Sequence, residues 1–316
     1  MLFKSLALTA AVVGSAVAQR PSNESICDYY TTALLKNNTA ANQLTLLTLV
    51  VNTAVIGNYT TPNVGIMVPG ILAPGTFNGT DVNLAPYFSG ALASTNTGGS
   101  SGMSVNFLDG GGADPLKMNK PANDTTSNQY ILLTHLYEYF GTLLGCSMQG
   151  TSSDYVAYSG DESMYEVHKF MDLSAAEVGY FITQVALSGA SFGVTAEDLQ
   201  PVGTALSTLF GHRCSAATVV IPTQQSALQA ICIDDTCPVA VTDANCTAYT
   251  MAAVEPVSAN SSNIASSTAH GTATSTGSSS ATATSSGAAA TATKNAAAQL
   301  GVGMAAVAGG FAALLL

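Results

Sequence analysis

Between Asn128 and Leu144 the chain reads NQYILLTHLYEYFGTLL, and Ile131, Leu132, Leu136, Tyr139, Phe140 and Leu143 recur there at the spacing of one helical face. A stripe of that length and period suits a helix and not a strand, which would alternate every second residue. His135 sits inside the same stripe. Further segments with helical periodicity cover 25–36, Ala40–Ile56 and 163–169. Two more begin at the Ser-x-x-Glu and Thr-x-x-Asp starts of Ser174 and Thr195, the second running toward His212. Strand-like alternation is scarce, so the folded part is expected to be mostly α-helical. The stretch from Asn58 to Lys120 is rich in Gly, Pro, Asn and Thr and reads as long inserted loops around one apolar knot, NLAPYFSG. The Gly-rich DGGGADP at 109–115 reads as a flexible loop.

The ends of the chain bound this domain. Residues 1–18, with Lys4, an apolar run and Ala16-Val17-Ala18, have the pattern of a secretory signal peptide cleaved before Gln19. Residues 295–316 are apolar to the last position with no basic stop after them, the shape of a glycosylphosphatidylinositol (GPI) attachment signal. Asn295 is the preferred attachment point and Gly287 the fallback. Residues 256–294 are almost wholly Ser, Thr, Ala and Gly, which cannot bury enough apolar surface to order themselves and read as a stalk carrying O-linked sugars. The arrangement resembles fungal proteins tethered at the wall and plasma membrane. It places the protein at the outer face of the membrane or in the wall.

What remains, 19–255, is one domain's length. It holds all six cysteines, Cys27, Cys146, Cys214, Cys232, Cys237 and Cys246. An even count in an exported chain points to disulfides, with the connectivity open. Sequons at Asn23, Asn37, Asn58, Asn78, Asn123, Asn245 and Asn260 mark positions that must be exposed if glycosylated. A net charge of −11 with only 8 Lys and Arg leaves no basic face for a nucleic acid. No nucleotide-binding glycine loop and no Gly-x-Ser-x-Gly elbow is present.

A lone histidine on an apolar stripe is more often a core residue bonded to a carbonyl than a metal ligand. Here His168 follows Met164 and Val167 on one short helix and His135 lies on another, while His212 ends a helix and His270 falls in the stalk. The order of motifs resembles the truncated, two-over-two haemoglobins. Met164, His168, Leu173-Ser174, Phe181, Gly193-Val194 and Asp198-Leu199 match that family's proximal half. The 84–90 and 135–145 segments match its aromatic corner and distal helix. The resemblance implies an all-α, globin-like domain at 19–213, with long inserted loops and a disulfide-pinned extension at 214–255.

The same resemblance implies haem b as cofactor. His168 would be the proximal ligand and His135 a ligand or hydrogen-bond donor on the distal side. Phe88 would stack on the porphyrin, Leu132 and Leu136 would line the distal pocket, and Tyr139 and Phe181 would exclude water. Lys169 would face a haem propionate. The family's distal tyrosine has no counterpart at Val51-Asn52. The function so implied is binding of O2 or NO, or cycling of the iron in nitric oxide dioxygenase or peroxidase-like chemistry. That chemistry would serve stress protection or redox sensing, with a gas or peroxide as ligand, an unidentified electron donor, and the membrane reached through a lipid anchor. The alternative is a haem-free structural or adhesion glycoprotein of the cell wall on a degenerate globin-like fold.

Overall fold

The computed structural model describes residues 19–60, 64–250 and 254–265. The expected signal peptide, the GPI signal with Asn295, and the stalk beyond 265 lie outside the described residues. Eight α-helices and one two-stranded hairpin are found among the described residues, so the folded part is helix-rich, as the periodicity requires. No single helix among them is long and apolar enough to cross a membrane.

Helix α1 (Ile26–Leu35) starts on Ser25, whose Oγ accepts the Asp28 N–H, and α2 (Ala40–Ile56) starts on Thr39 in the same way. The second is apolar on most faces and becomes the hub. It packs on α1, on α4 (Ala113–Lys117), on α5 (Asn128–Leu144) and on α7 (Ala175–Ser191). Helix α7 in turn carries α8 (Ala196–Phe210) and the hairpin of β1 (Gly75–Phe77) and β2 (Thr80–Val82), which pairs Phe77 with Thr80 around an Asn78-Gly79 turn. The knot NLAPYFSG forms the short α3 (Ala85–Ser89), and α6 (Met164–His168) carries His168.

The Ser174 capping box forms as the sequence predicts: Ser174 Oγ accepts the Glu177 N–H, and Glu177 accepts the Ser174 N–H. The one expected at Thr195 does not. The Tyr30 hydroxyl takes its place, accepting the Thr195 N–H at 3.0 Å and donating to Asp198 Oδ2 at 2.9 Å. Asp198 Oδ1 is meanwhile held by Arg20 Nε at 2.8 Å. A charged guanidinium outcompetes a neutral backbone donor for that oxygen.

The glycine-rich 109–115 loop is pinned rather than flexible. The Asp109 carboxylate accepts the N–H groups of Asn128 and Gln129 at the start of α5, and Gln129 reaches back to the N–H and carbonyl of Gly112. The carboxylate thereby satisfies orphan donors at a helix N-terminus, where negative charge is favoured.

All six cysteines are paired, as Cys27–Cys146, Cys214–Cys246 and Cys232–Cys237. The first ties α1 to the end of α5, and the other two brace the extension after α8. That extension docks on α6: the Leu228 carbonyl accepts from Ser163 Oγ and the Tyr165 N–H, and Tyr165 packs edge-on to Tyr249 at 4.7 Å. The start of the expected stalk differs from its composition. Residues 257–265 form backbone hydrogen bonds with 91–104, which offer unpaired donors and acceptors to a chain that cannot order itself alone.

Candidate functional site

Helix α6 is a single turn and a half, begun by Ser163 Oγ on the Glu166 N–H. At its end, His168 Nδ1 lies 2.7 Å from the Met164 carbonyl one turn back. A carbonyl accepts only, so Nδ1 carries the proton and the lone pair sits on Nε2. Burial lowers the pKa of this imidazole, against the opposing pull of the Met164 carbonyl, which keeps the ring neutral. Nε2 makes no hydrogen bond among the described residues. A neutral, oriented imidazole with a free Nε2 is the form that ligates a metal.

The other expected site residues divide into groups. Leu136 and Phe181 line one wholly apolar cleft of about 40 Å³ between α2, α5, α7 and α8, together with Leu47, Val51, Ala54, Phe140, Val185 and Val202. Neither His135 nor His168 lines it. It has room for one or two small molecules and not for a flat tetrapyrrole. The His135 ring stands edge-on to Tyr158 with centroids 5.8 Å apart, and Tyr139 meets the same Tyr158 at 5.4 Å. Phe88 and Leu132 are partly buried and packed on the core. Lys169 is held by Glu166 at 2.6 Å and lies 5.3 Å from the centre of the Phe170 ring, so its charge already has a partner. No group of three or more His, Cys, Asp or Glu placed to hold a metal ion occurs among the described residues.

Sequence reasoning missed the most unusual titratable group. Glu138 is 7 % exposed, and burial pushes its carboxyl up to about 7, partly offset by the Ser159 N–H. Its Oε2, like the hydroxyl of Tyr139, has no hydrogen-bond partner among the described residues. The negative charge of Glu138 also adds to the raised pKa of the Tyr155 and Tyr158 phenols, for which burial is the larger cause. In the sequence, Glu138 stands next to the apolar stripe and looks like a solvated residue.

No family model, characterised protein or solved structure matches this chain. The functional reading therefore rests on the side chains themselves. A porphyrin held from one side needs one oriented imidazole with apolar surface around it: His168 supplies the imidazole, while Leu136 and Phe181 line a cleft that His168 does not line. The donor set fits one axial ligand. His135, expected on the distal side, meets Tyr158 edge-on.

Proposed function

We propose that the helical head is a globin-like haem-binding module of an exported protein, tethered by a lipid at the outer face of the plasma membrane or in the wall. The observation that carries the reading is the state of His168: Nδ1–H fixed by the Met164 carbonyl, the ring kept neutral by burial, and Nε2 left for a ligand bond. Three disulfides suit an oxidising compartment. Every sequon asparagine, from Asn23 to Asn260, is exposed, as glycosylation requires.

Haem would supply an iron centre that binds a diatomic gas or peroxide and exchanges electrons with a donor. The chain's own contribution is to hold and shield it. His168 would be the protein ligand, its basicity raised by the Met164 carbonyl, which accepts a hydrogen bond from Nδ1–H. Phe88, Leu132, Leu136 and Phe181 would provide apolar surface, and the wholly apolar cleft lined by Leu136 and Phe181 would admit an uncharged gas. Lys169 serves a propionate only by giving up Glu166.

Titration of the purified protein with hemin, followed by absorption spectroscopy, tests this. The expected result is a Soret band that is abolished in His168→Ala and persists in His135→Ala. A second reading, a haem-free wall or adhesion glycoprotein, is favoured by the small size of the cleft. Absence of a Soret change in the native protein would remove the haem reading and leave this one standing.

A further inference from the structure

Residues 91–104 form a hairpin-like loop in which Thr95 and Met103 exchange both backbone hydrogen bonds at 3.0 Å. Its tip, Asn96–Gly98, lies against α6. On the same side, Gly102 leaves no room for a Cβ beside the Ala93 carbonyl, and that Cβ position is 3.3 Å from Phe170 Cβ, two residues past His168. The loop is thus a wall of the His168 region.

Both strands of this loop are held from outside by one segment. The Ala93 N–H donates to the Val257 carbonyl at 2.9 Å and the Ala259 N–H to the Ala91 carbonyl at 2.9 Å. Farther along, the Ser104 N–H donates to Asn263 at 2.7 Å and the Ala265 N–H to Ser104 at 3.1 Å. Between these pairs the segment turns back at 260–263 through Asn263 Oδ1, which accepts the Asn260 N–H at 2.7 Å. The segment brackets both strands, and in sequence it runs straight on into the Ser/Thr-rich stretch after 265.

We propose that residues 254–265 are a latch that clamps the 91–104 loop onto α6, so that a pull or a cut on the stalk side of the head loosens the wall of the His168 site. A few exposed backbone hydrogen bonds at a chain end belong to the low-stability part of a fold, and such parts open without global unfolding. The latch itself is independent of any cofactor; its effect on haem retention rests on the reading above.

The test uses the full chain. Ala259→Pro with Ala265→Pro deletes two latch donors and leaves the loop's own bonds intact. Leu92→Cys with Ser258→Cys cross-links a directly opposed antiparallel pair and locks the latch. By hydrogen exchange, the proline variant should speed exchange at Ala93, Ser104 and the amides of α6 on the order of tenfold, the worth of one or two backbone bonds. Amides of α2 and α7 should not change. The cross-linked variant should slow the same loop and α6 amides below wild type, and where hemin binds, its release should follow the same order.

If α6 exchange is indifferent to both variants, the latch is overturned, whether or not hemin binds. If the proline variant loosens α2 and α7 as well, it has unfolded the head and the cross-linked variant decides. Failure of hemin to bind, with exchange responding as expected, overturns the haem reading alone.

Discussion

The hydroxyl of Tyr137 donates to Asn52 Oδ1 at 2.6 Å, with both residues almost wholly buried between α5 and α2. Asn52 Nδ2 continues to the Leu116 carbonyl at 3.2 Å, so one polar pair ties three elements together. In Tyr137→Phe the Asn52 oxygen is left buried and unpaired, which should cost about 1–3 kcal/mol. In Asn52→Leu with Tyr137→Phe both partners become apolar, and part of that loss should return. Urea unfolding with the disulfides intact measures each variant, and a double variant no more stable than the worse single one would show that the pair adds nothing.

Beside that pair, α5 comes so close to the 150–160 loop that Tyr155 Oη, donating to the Tyr137 carbonyl at 2.6 Å, occupies the space where a side chain at Gly141 would begin. Gly141→Ala is therefore expected to destabilise by about 1–3 kcal/mol through overpacking, although alanine is the better helix former. A thermal melt of Gly141→Ala at or above wild type would show that Tyr155 moves aside freely.

Glu138 sets the pH dependence. Its folded-state carboxyl titrates at about 7, against an ordinary value of 4.5, so between those values the folded protein binds more protons than the unfolded chain. The contribution of this group is largest on the acid side of the window and falls by about 3 kcal/mol as pH rises through it. Asp172 is raised by burial and pulls in the same direction, while His168 is lowered by burial and loses stability as pH falls below its ordinary 6.5, and Asp124 and Asp234, also lowered, act oppositely at still lower pH. Comparison with Glu138→Gln isolates the one group: the variant should gain on wild type between pH 5 and pH 8, and parallel curves would show that Glu138 is solvated.

Much of this architecture is legible in the chain. Helical periods located α2 and α5, the Ser174 box located α7, and cysteine parity anticipated full pairing. The buried face of α5 is legible only in part, through Tyr139 and Phe140 of the apolar stripe, which are both buried. Its deepest stripe is Gln129, Leu133, Tyr137 and Gly141, whereas Leu132, His135 and Leu136 of the apolar stripe remain partly exposed. The polar members go inside because Gly112, Asn52 and Tyr155, all distant in sequence, satisfy or fill them. A pattern scan sees hydrophobicity and not those partners. The same blindness hid the latch: a segment of Ser, Asn and Ala looks like stalk until the loop it pairs with is placed beside it.

The three bridges should differ in worth by the length of chain each closes. Cys27–Cys146 spans a sequence separation of 119, and Cys232–Cys237 a separation of 5. On the chain-entropy account, the first restricts the unfolded state by about 5 kcal/mol and the second by about 2 kcal/mol. Replacing Cys27 and Cys146 together by alanine should therefore lower the unfolding midpoint far more than replacing Cys232 and Cys237. Position complicates the second pair, because the Leu173 backbone bridges to Cys232 and its carbonyl lies 3.4 Å from Cys237 Sγ, just past the His168 turn. Loss of that bridge should show itself locally as well, as faster hydrogen exchange at 171–177, with a loss of global stability well below that of the first pair. Equal losses of global stability from the two pairs would mean that native-state contacts, not loop length, set what each disulfide contributes.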